Sequence, residues 1–74
     1  MFLYSIRDAN GATVAEVSVS REDISEVRRD SDFATWTDSE ISGWIYEQRY
    51  ESALLRAGVK SFDGLTCHEQ EIGI

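Results

Sequence analysis

The chain contains one cysteine and one histidine, and they are neighbours, Cys67 and His68. Successive side chains of an extended strand point to opposite faces, so this spacing does not favour a hydrogen-bonded Cys–His catalytic pair. Zinc sites use paired ligands at spacings such as C-x2-C or H-x3-H, and neither spacing occurs around Cys67, His68, Glu69 and Glu71. We therefore expect no catalytic residue, no metal ion and no cofactor, and we expect Cys67 to be a small buried thiol.

The carboxylates are the second group of side chains that could act chemically. Asp30 and Asp32 lie in a segment without the central glycine and the correctly placed glutamate of a calcium loop. Glu47 and Glu51 share one side of a predicted helix, but no cleft is predicted between them, which favours a solvated stripe over a general acid–base pair. The glycines are isolated, so no phosphate-binding loop is predicted. These features are typical of a protein without enzymatic activity.

The charge balance indicates the kind of partner. The chain has 14 acidic and 7 basic residues, for a net charge of −7. Such a surface repels nucleic acid and anionic membranes and attracts a basic protein surface. Seven of the acidic residues lie between positions 22 and 40, where Phe33 and Trp36 also occur. The sequence thus predicts another protein with a basic surface as the partner, with no direct nucleic-acid contact and no membrane.

The first 19 residues predict a β-hairpin. Asn10-Gly11 favours a two-residue type I′ turn, in which both residues have positive φ. With this pair at the tip, Arg7 faces Val14, and the strands continue outward in register. Residues that face each other share a side of the sheet. One side is then apolar and consists of Phe2, Tyr4, Ile6, Ala15, Val17 and Val19.

Capping signals predict two helices. Ser20, with Asp23 three residues later, is close to a capping box and predicts a short helix over residues 21 to 30. Thr37 and Glu40 have capping-box spacing, and Gly58 suits a C-terminal cap, so a long helix should run from Asp38 to Ala57. The predicted fold is a single α+β domain, in which an N-terminal antiparallel β-hairpin packs against one short and one long helix. Whether residues 66–74 add a third, C-terminal edge strand is left open.

The long helix is predicted to have two apolar sides. At about 100° per residue, one side has Ile41, Trp44, Ile45, Gln48, Ser52 and Leu55. The nearly opposite side has Tyr46, Tyr50, Ala53, Leu54 and Ala57. Two alternatives follow. The first helix or the tail covers the Tyr46/Tyr50/Leu54 face within one chain, or that face meets another chain, since tyrosine is enriched at interfaces.

These patterns favour a non-catalytic, acidic protein-binding module. Its size and charge are analogous to those of small virus-encoded inhibitors, so it is interpreted as a phage or bacterial accessory protein that occupies a basic surface of a larger, nucleic-acid-handling partner. The alternative is a structural or assembly subunit that forms a homodimer or docks through its tyrosine face. The predicted interface residues are Phe33, Trp36, Asp30, Asp32, Asp38, Glu40, Tyr46, Tyr50 and Leu54.

The expected location is the cytoplasm, or the host cytoplasm if a virus encodes the protein. The apolar run at the start is short and is followed by Arg7, unlike a signal peptide. No stretch approaches the roughly 20 apolar residues of a membrane span. A single cysteine leaves no internal disulfide, which suits a reducing compartment.

Overall fold

A computed structural model describes residues 1–72 and shows a three-stranded sheet with two helices. Both strand pairs are antiparallel and the order is β2-β1-β3, so the first strand is central. The predicted α+β fold is confirmed, and the third strand is present, although positions 73–74 of that predicted strand lie outside the described residues. The elements are β1 Phe2–Arg7, β2 Thr13–Val19, α1 Arg21–Arg28, a 3₁₀ turn Ser31–Phe33, α2 Asp38–Arg56 and β3 Thr66–Glu71.

The hairpin tip differs from the predicted turn. The loop has three residues instead of two, because the Asp8 carboxylate accepts hydrogen bonds from the backbone N–H groups of Asn10 (2.9 Å) and Ala12 (3.0 Å). The Gly11 amide also donates to the Asp8 carbonyl (3.0 Å). Within the hairpin loop only Gly11 has a positive φ, of 83°, so Asn10 does not adopt the left-handed conformation of a type I′ turn. Asp8 is the residue that selects this wider loop.

A bulge restores the predicted register beyond the tip. Arg7 pairs with Thr13 and not with Val14, so the predicted Arg7–Val14 pair is wrong. Val14 is the extra residue in β2, and the pairs from Ile6–Ala15 outward are those that the sequence predicts. The extra loop residue and the extra strand residue offset each other, which keeps the apolar side chains of both strands on one face.

Both helices begin at the predicted capping boxes, Ser20 with Asp23 and Thr37 with Glu40. In each box the hydroxyl accepts from a backbone amide while the carboxylate accepts from the amide of the cap residue. The ends fall earlier than expected, at Arg28 and Arg56. The first helix stops because Asp30 is extended and its carboxylate caps the following 3₁₀ turn.

The core lies between the apolar side of the hairpin and the two helices. All six hairpin residues predicted to face inward are buried. They pack against four buried helical side chains, namely Ile24, Ile41, Ile45 and Leu54. The opposite face of the hairpin is mostly polar and carries Leu3, Ser5, Arg7, Glu16 and Ser18.

Both predicted apolar sides of α2 pack within the chain, since Ile41, Ile45 and Leu54 are buried and Tyr46 and Tyr50 are partly buried against the core. Ser42 is hydrogen-bonded to Tyr4 of β1 and Arg49 to Ser18 of β2, and these two α2 residues lie on one side of the helix, between the two predicted sides. The isoleucines and tyrosines are therefore the two flanks of one broad contact. Leu54, assigned to the tyrosine side, is fully buried, while Leu55 is 62% exposed.

A buried hydrogen bond fixes α2 on the sheet. The hydroxyl of Tyr4, in the central strand, is hydrogen-bonded to the hydroxyl of Ser42, and both side chains are buried. The Tyr4 ring also stacks on Tyr46, with ring centroids 4.4 Å apart. Burial is the main cause that raises the pKa of Tyr4, so its phenol stays neutral at physiological pH. This contact sets the position of α2 along and across β1.

Arg49 fixes α2 to the outer strand of the hairpin. Its guanidinium donates to the Ser18 carbonyl (3.2 Å) and to both carboxylate oxygens of Asp23 (3.3 Å each). Asp23 is also the capping-box acceptor for the Ser20 amide (2.9 Å). Arg49 and the Ser20 amide together lower the pKa of Asp23. One side chain therefore links β2, the start of α1 and the middle of α2.

The Tyr4–Ser42 contact predicts a coupled pair of mutations. Tyr4→Phe and Ser42→Ala each leave a buried hydroxyl without its partner, and each should lower the free energy of unfolding by about 1–3 kcal/mol. The double variant should lose clearly less than the sum, because no unpaired hydroxyl is left. Urea denaturation of the four proteins measures this coupling, and strictly additive losses would contradict it.

The Asp23–Arg49 contact predicts a pH-dependent contribution to stability. Because the folded pKa is below the unfolded value, the stabilisation is complete above the unfolded pKa of about 3.9 and is lost as the pH falls through the folded pKa. Asp23→Asn should cost about 1 kcal/mol at pH 7 and progressively less below about pH 4.

Denaturation of wild type and variant at pH 7, 5 and 3 provides the measurement. Glu22→Gln, which changes the same charge in the same helical turn without breaking an ion pair, is the matched control. A loss from Asp23→Asn that is equal at pH 7 and pH 3 would refute the linkage.

Candidate functional site

Three aromatic side chains cluster where the 3₁₀ turn meets the start of α2. Phe33 is in the middle, with ring centroids 4.7 Å from Trp36 and 4.9 Å from Trp44. Phe33 and Trp36 are half-buried against the core, and Trp44 is 36% exposed. The structure therefore brings together the two aromatic residues that the sequence predicts and adds Trp44. We call Phe33, Trp36 and Trp44 the aromatic cluster.

The predicted acidic residues near this cluster differ in their local bonds. Asp38 forms an ion pair with Arg28 (2.6 Å), and Asp30 caps the 3₁₀ turn. Glu40 belongs to a capping box, yet its side chain is exposed, and Asp32 is exposed without an ion pair among residues 1–72. Asp38 and Asp30 thus have a structural role, and their interface role stays a prediction.

A stripe of exposed side chains continues from the cluster along the outer side of α2. Its members follow helical spacing and are Glu40, Trp44, Glu47, Glu51 and Leu55, which we call the acidic stripe. Within the described residues, only Asp23 and Asp38 among the 14 carboxylates form ion pairs. The three glutamates of the stripe therefore present their charge without a neutralising cation. Trp44 and Leu55 add apolar area between and beyond them.

The predicted tyrosine face is only partly available. Leu54 is fully buried, so its assignment to a docking surface is wrong: it belongs to the core, against which Val59 and Leu65 of the following segment also pack. Tyr46 is half-buried on Tyr4, and burial, followed by the neighbouring Cys67 thiol, raises its pKa. Tyr50 is half-buried and contacts both Tyr46 and Phe62. What this side exposes is Tyr50 with Phe62, which is 40% exposed.

Cys67 and His68 lie on opposite faces of β3, as their adjacency predicted. Cys67 is beside Ile6 on the helix side, and His68 is beside Ser5 on the other side, where its ring contacts the Thr66 hydroxyl (3.3 Å). The expectation that Cys67 is buried is wrong, since the thiol is exposed. Its strand extends past the helices, so nothing in residues 1–72 covers it completely.

The described residues hold few other features of a small-molecule site. A shallow groove of about 450 Å³ lies between β2 and α2, lined in part by Gln48, Arg49 and Arg56. Arg49 there is engaged by Ser18 and Asp23. Within residues 1–72, no three His, Cys, Asp or Glu side chains are grouped so that they could hold a metal ion. No helix in that range is long and apolar enough to cross a membrane.

Sequence reasoning missed Trp44 and Phe62 as exposed aromatic residues. Trp44 lies four residues after Glu40 and three before Glu47, a spacing that places all three on one side of a helix. That signal is present in the sequence, but the helical wheel also places Trp44 on the same side as Ile41 and Ile45. Comparisons with protein-family models, with curated proteins and with solved structures find no match to this chain. The function is therefore inferred from the exposed side chains of the chain itself.

Proposed function

We propose that this protein is a non-catalytic binding module that attaches to a basic surface of a larger protein through the aromatic cluster and the acidic stripe. The observation that carries the proposal is Trp44, an exposed tryptophan that packs on Phe33 and is flanked by Glu40 and Glu47. Tryptophan is strongly enriched among the residues that dominate binding energy. The glutamates beside it are without ion-pair partners in the described residues.

The two components have different roles in this proposal. The aromatic cluster is held by the core, so Trp44 meets a partner with little loss of side-chain freedom. The glutamates attract a basic surface from a distance and exclude acidic ones, which affects association rate and specificity more than contact energy. Glu40, Glu47 and Glu51 extend over about 16 Å of helix, at 1.5 Å per residue. A line of negative charge of this kind matches a surface built to hold phosphates.

We therefore propose that the partner handles nucleic acid and that the module inhibits it by competing for its basic surface, in a bacterial or phage-infected cytoplasm. Electrostatic attraction of this type weakens with salt in the same way as phosphate binding. The alternative, assembly through the tyrosine face, has weaker support because Leu54 is buried and Tyr46 is occupied by Tyr4.

The aromatic cluster generates the central test of this function. Trp44→Ala should reduce affinity for the partner about 30-fold, the loss typical of a dominant tryptophan, without unfolding the protein because the side chain is partly exposed. The variant pair Glu40→Gln and Glu47→Gln should slow association, and Gln at position 40 still completes the capping box. Capture of the partner from host extract, followed by binding kinetics with the purified partner, measures both effects.

The matched control removes the same number of charges elsewhere, with Glu16→Gln on the open side of the sheet and Glu26→Gln on α1. Both residues are exposed and unpaired within the described residues. Between 50 mM and 300 mM salt, binding should weaken steeply for the wild type, for Trp44→Ala and for the control pair. It should weaken less for the variant with Glu40→Gln and Glu47→Gln. If Trp44→Ala binds like wild type, or if the control pair weakens binding equally, the proposed surface is wrong.

A further inference from the structure

The third strand extends beyond the helical layer. α2 is bonded to β1 through Ser42 and to β2 through Arg49, on the side of the sheet away from β3. All six residues of β3, Thr66–Glu71, are exposed. Among residues 1–72, β3 is therefore paired on one edge only.

The pairing pattern shows which backbone groups are unpaired. The Ile72 amide donates to the Met1 carbonyl (2.8 Å), so this is a hydrogen-bonded pair of the β1–β3 ladder. Hydrogen-bonded pairs alternate with non-bonded ones in an antiparallel ladder, so the backbone groups of Thr66, His68 and Gln70 face β1. The remaining β3 residues are Cys67, Glu69 and Glu71. Their backbone N–H and C=O groups point to the free edge, where no group in residues 1–72 forms a hydrogen bond with them.

The side chains of these same three residues point to the helix side. Cys67 is opposite Ile6, Glu69 is opposite Tyr4, and the third, Glu71, is opposite Phe2. A strand that paired with the free edge would place its own side chains directly opposite them on the same face. It would thus meet two carboxylates two positions apart, and then a thiol.

An aromatic surface continues from that thiol. The Tyr46 phenol is adjacent to Cys67, and Tyr50 connects Tyr46 to Phe62 through edge-to-face ring contacts with centroids 5.7 Å and 6.3 Å apart. Phe62 and Tyr50 are incompletely covered by the chain. A large apolar side chain opposite Cys67 would extend this row of rings.

We propose that the free edge of β3 binds an extended, basic segment of a partner protein as an added antiparallel strand. From its N-terminus to its C-terminus, this added strand has a basic residue, any residue, a second basic residue, any residue and then an aromatic residue. The two basic residues lie opposite Glu71 and Glu69, and the aromatic residue lies opposite Cys67, beside Tyr46. Backbone hydrogen bonds hold the strand, and the carboxylates select its charge.

The other edge and a second copy fit less well. The β2 edge is closed at Ser18, whose outward carbonyl already accepts from Arg49. Pairing of β3 with β3 of a second copy would collect Glu69 and Glu71 of both chains on one face, and like charges across strands are destabilising. The net charge of −7 on each chain adds to that repulsion. The site is separate from the acidic stripe, so each proposal can fail without the other.

A short synthetic peptide tests the site directly. The probe is acetyl-Thr-Lys-Thr-Lys-Thr-Phe-Thr-amide, and its first control replaces both lysines with glutamate. Its second control carries N-methyl groups on the backbone of the residues that pair with the free edge, which removes those hydrogen bonds without changing charge. NMR titration of the full chain should show saturable amide shifts at Cys67, Glu69 and Glu71 with the probe and none with either control.

Two double variants of the protein test whether the carboxylates of β3, and not those of α2, bind the probe. Glu69→Gln with Glu71→Gln should weaken the probe about fivefold, since each cross-strand charge pair contributes modestly. Glu40→Gln with Glu47→Gln, an equal change of net charge on α2, should leave it within twofold. Bound probe should also slow modification of the unique thiol, Cys67, by a maleimide.

Four results would overturn the proposal. The first is equal binding of the N-methylated peptide, which would mean attraction without strand pairing. The second is a shift pattern on α2 instead of β3, and the third is no saturation at millimolar probe. The fourth is a dimer in light scattering whose formation Glu69→Gln strengthens, which would assign the edge to a second copy.

Discussion

The hydrogen bond between the Tyr4 and Ser42 hydroxyls determines where α2 lies, and the exposed surfaces follow from that position. Tyr4 is in the central strand, so a helix fixed to it could cover either neighbouring strand. Arg49, two turns further along the same side of the helix, bonds to Ser18 and brings α2 over β2. A single 19-residue helix cannot also cover the third strand. β3 is therefore left with an open edge, and the glutamates and Trp44 of the outer side are directed to solvent.

The two proposed surfaces result from the same arrangement but recognise a partner by different means. On α2, recognition depends on side chains alone, an aromatic group supported by the core and carboxylates around it. On β3, it depends on backbone groups, with Glu69 and Glu71 restricting which strand can pair. Charged residues that face inward on an edge strand also oppose uncontrolled pairing with other chains. A net charge of −7 in so short a chain is consistent with both, since it attracts basic partners and separates copies of the protein.

Local signals in the sequence were enough to predict the strands of the hairpin, its apolar side and the starts of both helices. Helix caps and apolar–polar alternation depend on residues close together in the chain. The helix starts are marked by Ser20 and Thr37, and the hairpin turn is marked by Asn10-Gly11. The turn type was missed because the Asp8 carboxylate, which selects the wider loop, was treated as an ordinary strand residue. The site was predicted less well, since the rotation of α2 is a tertiary property. A helical wheel gives angles between side chains but not the direction of the sheet, so Leu54 is among the predicted interface residues and Trp44 is not.

The claim on which this account depends most is that α2 covers β1 and β2 and leaves the outer edge of β3 unpaired. Residue-resolved amide hydrogen exchange of the free protein tests it most directly. We predict slow exchange for α2 around Ser42 and for the β3 amides of His68 and Gln70, which face β1. The amides of Cys67, Glu69 and Glu71 should exchange at rates near those of an unstructured chain. Equal protection of all five β3 amides would show that the edge is already covered and would contradict the account.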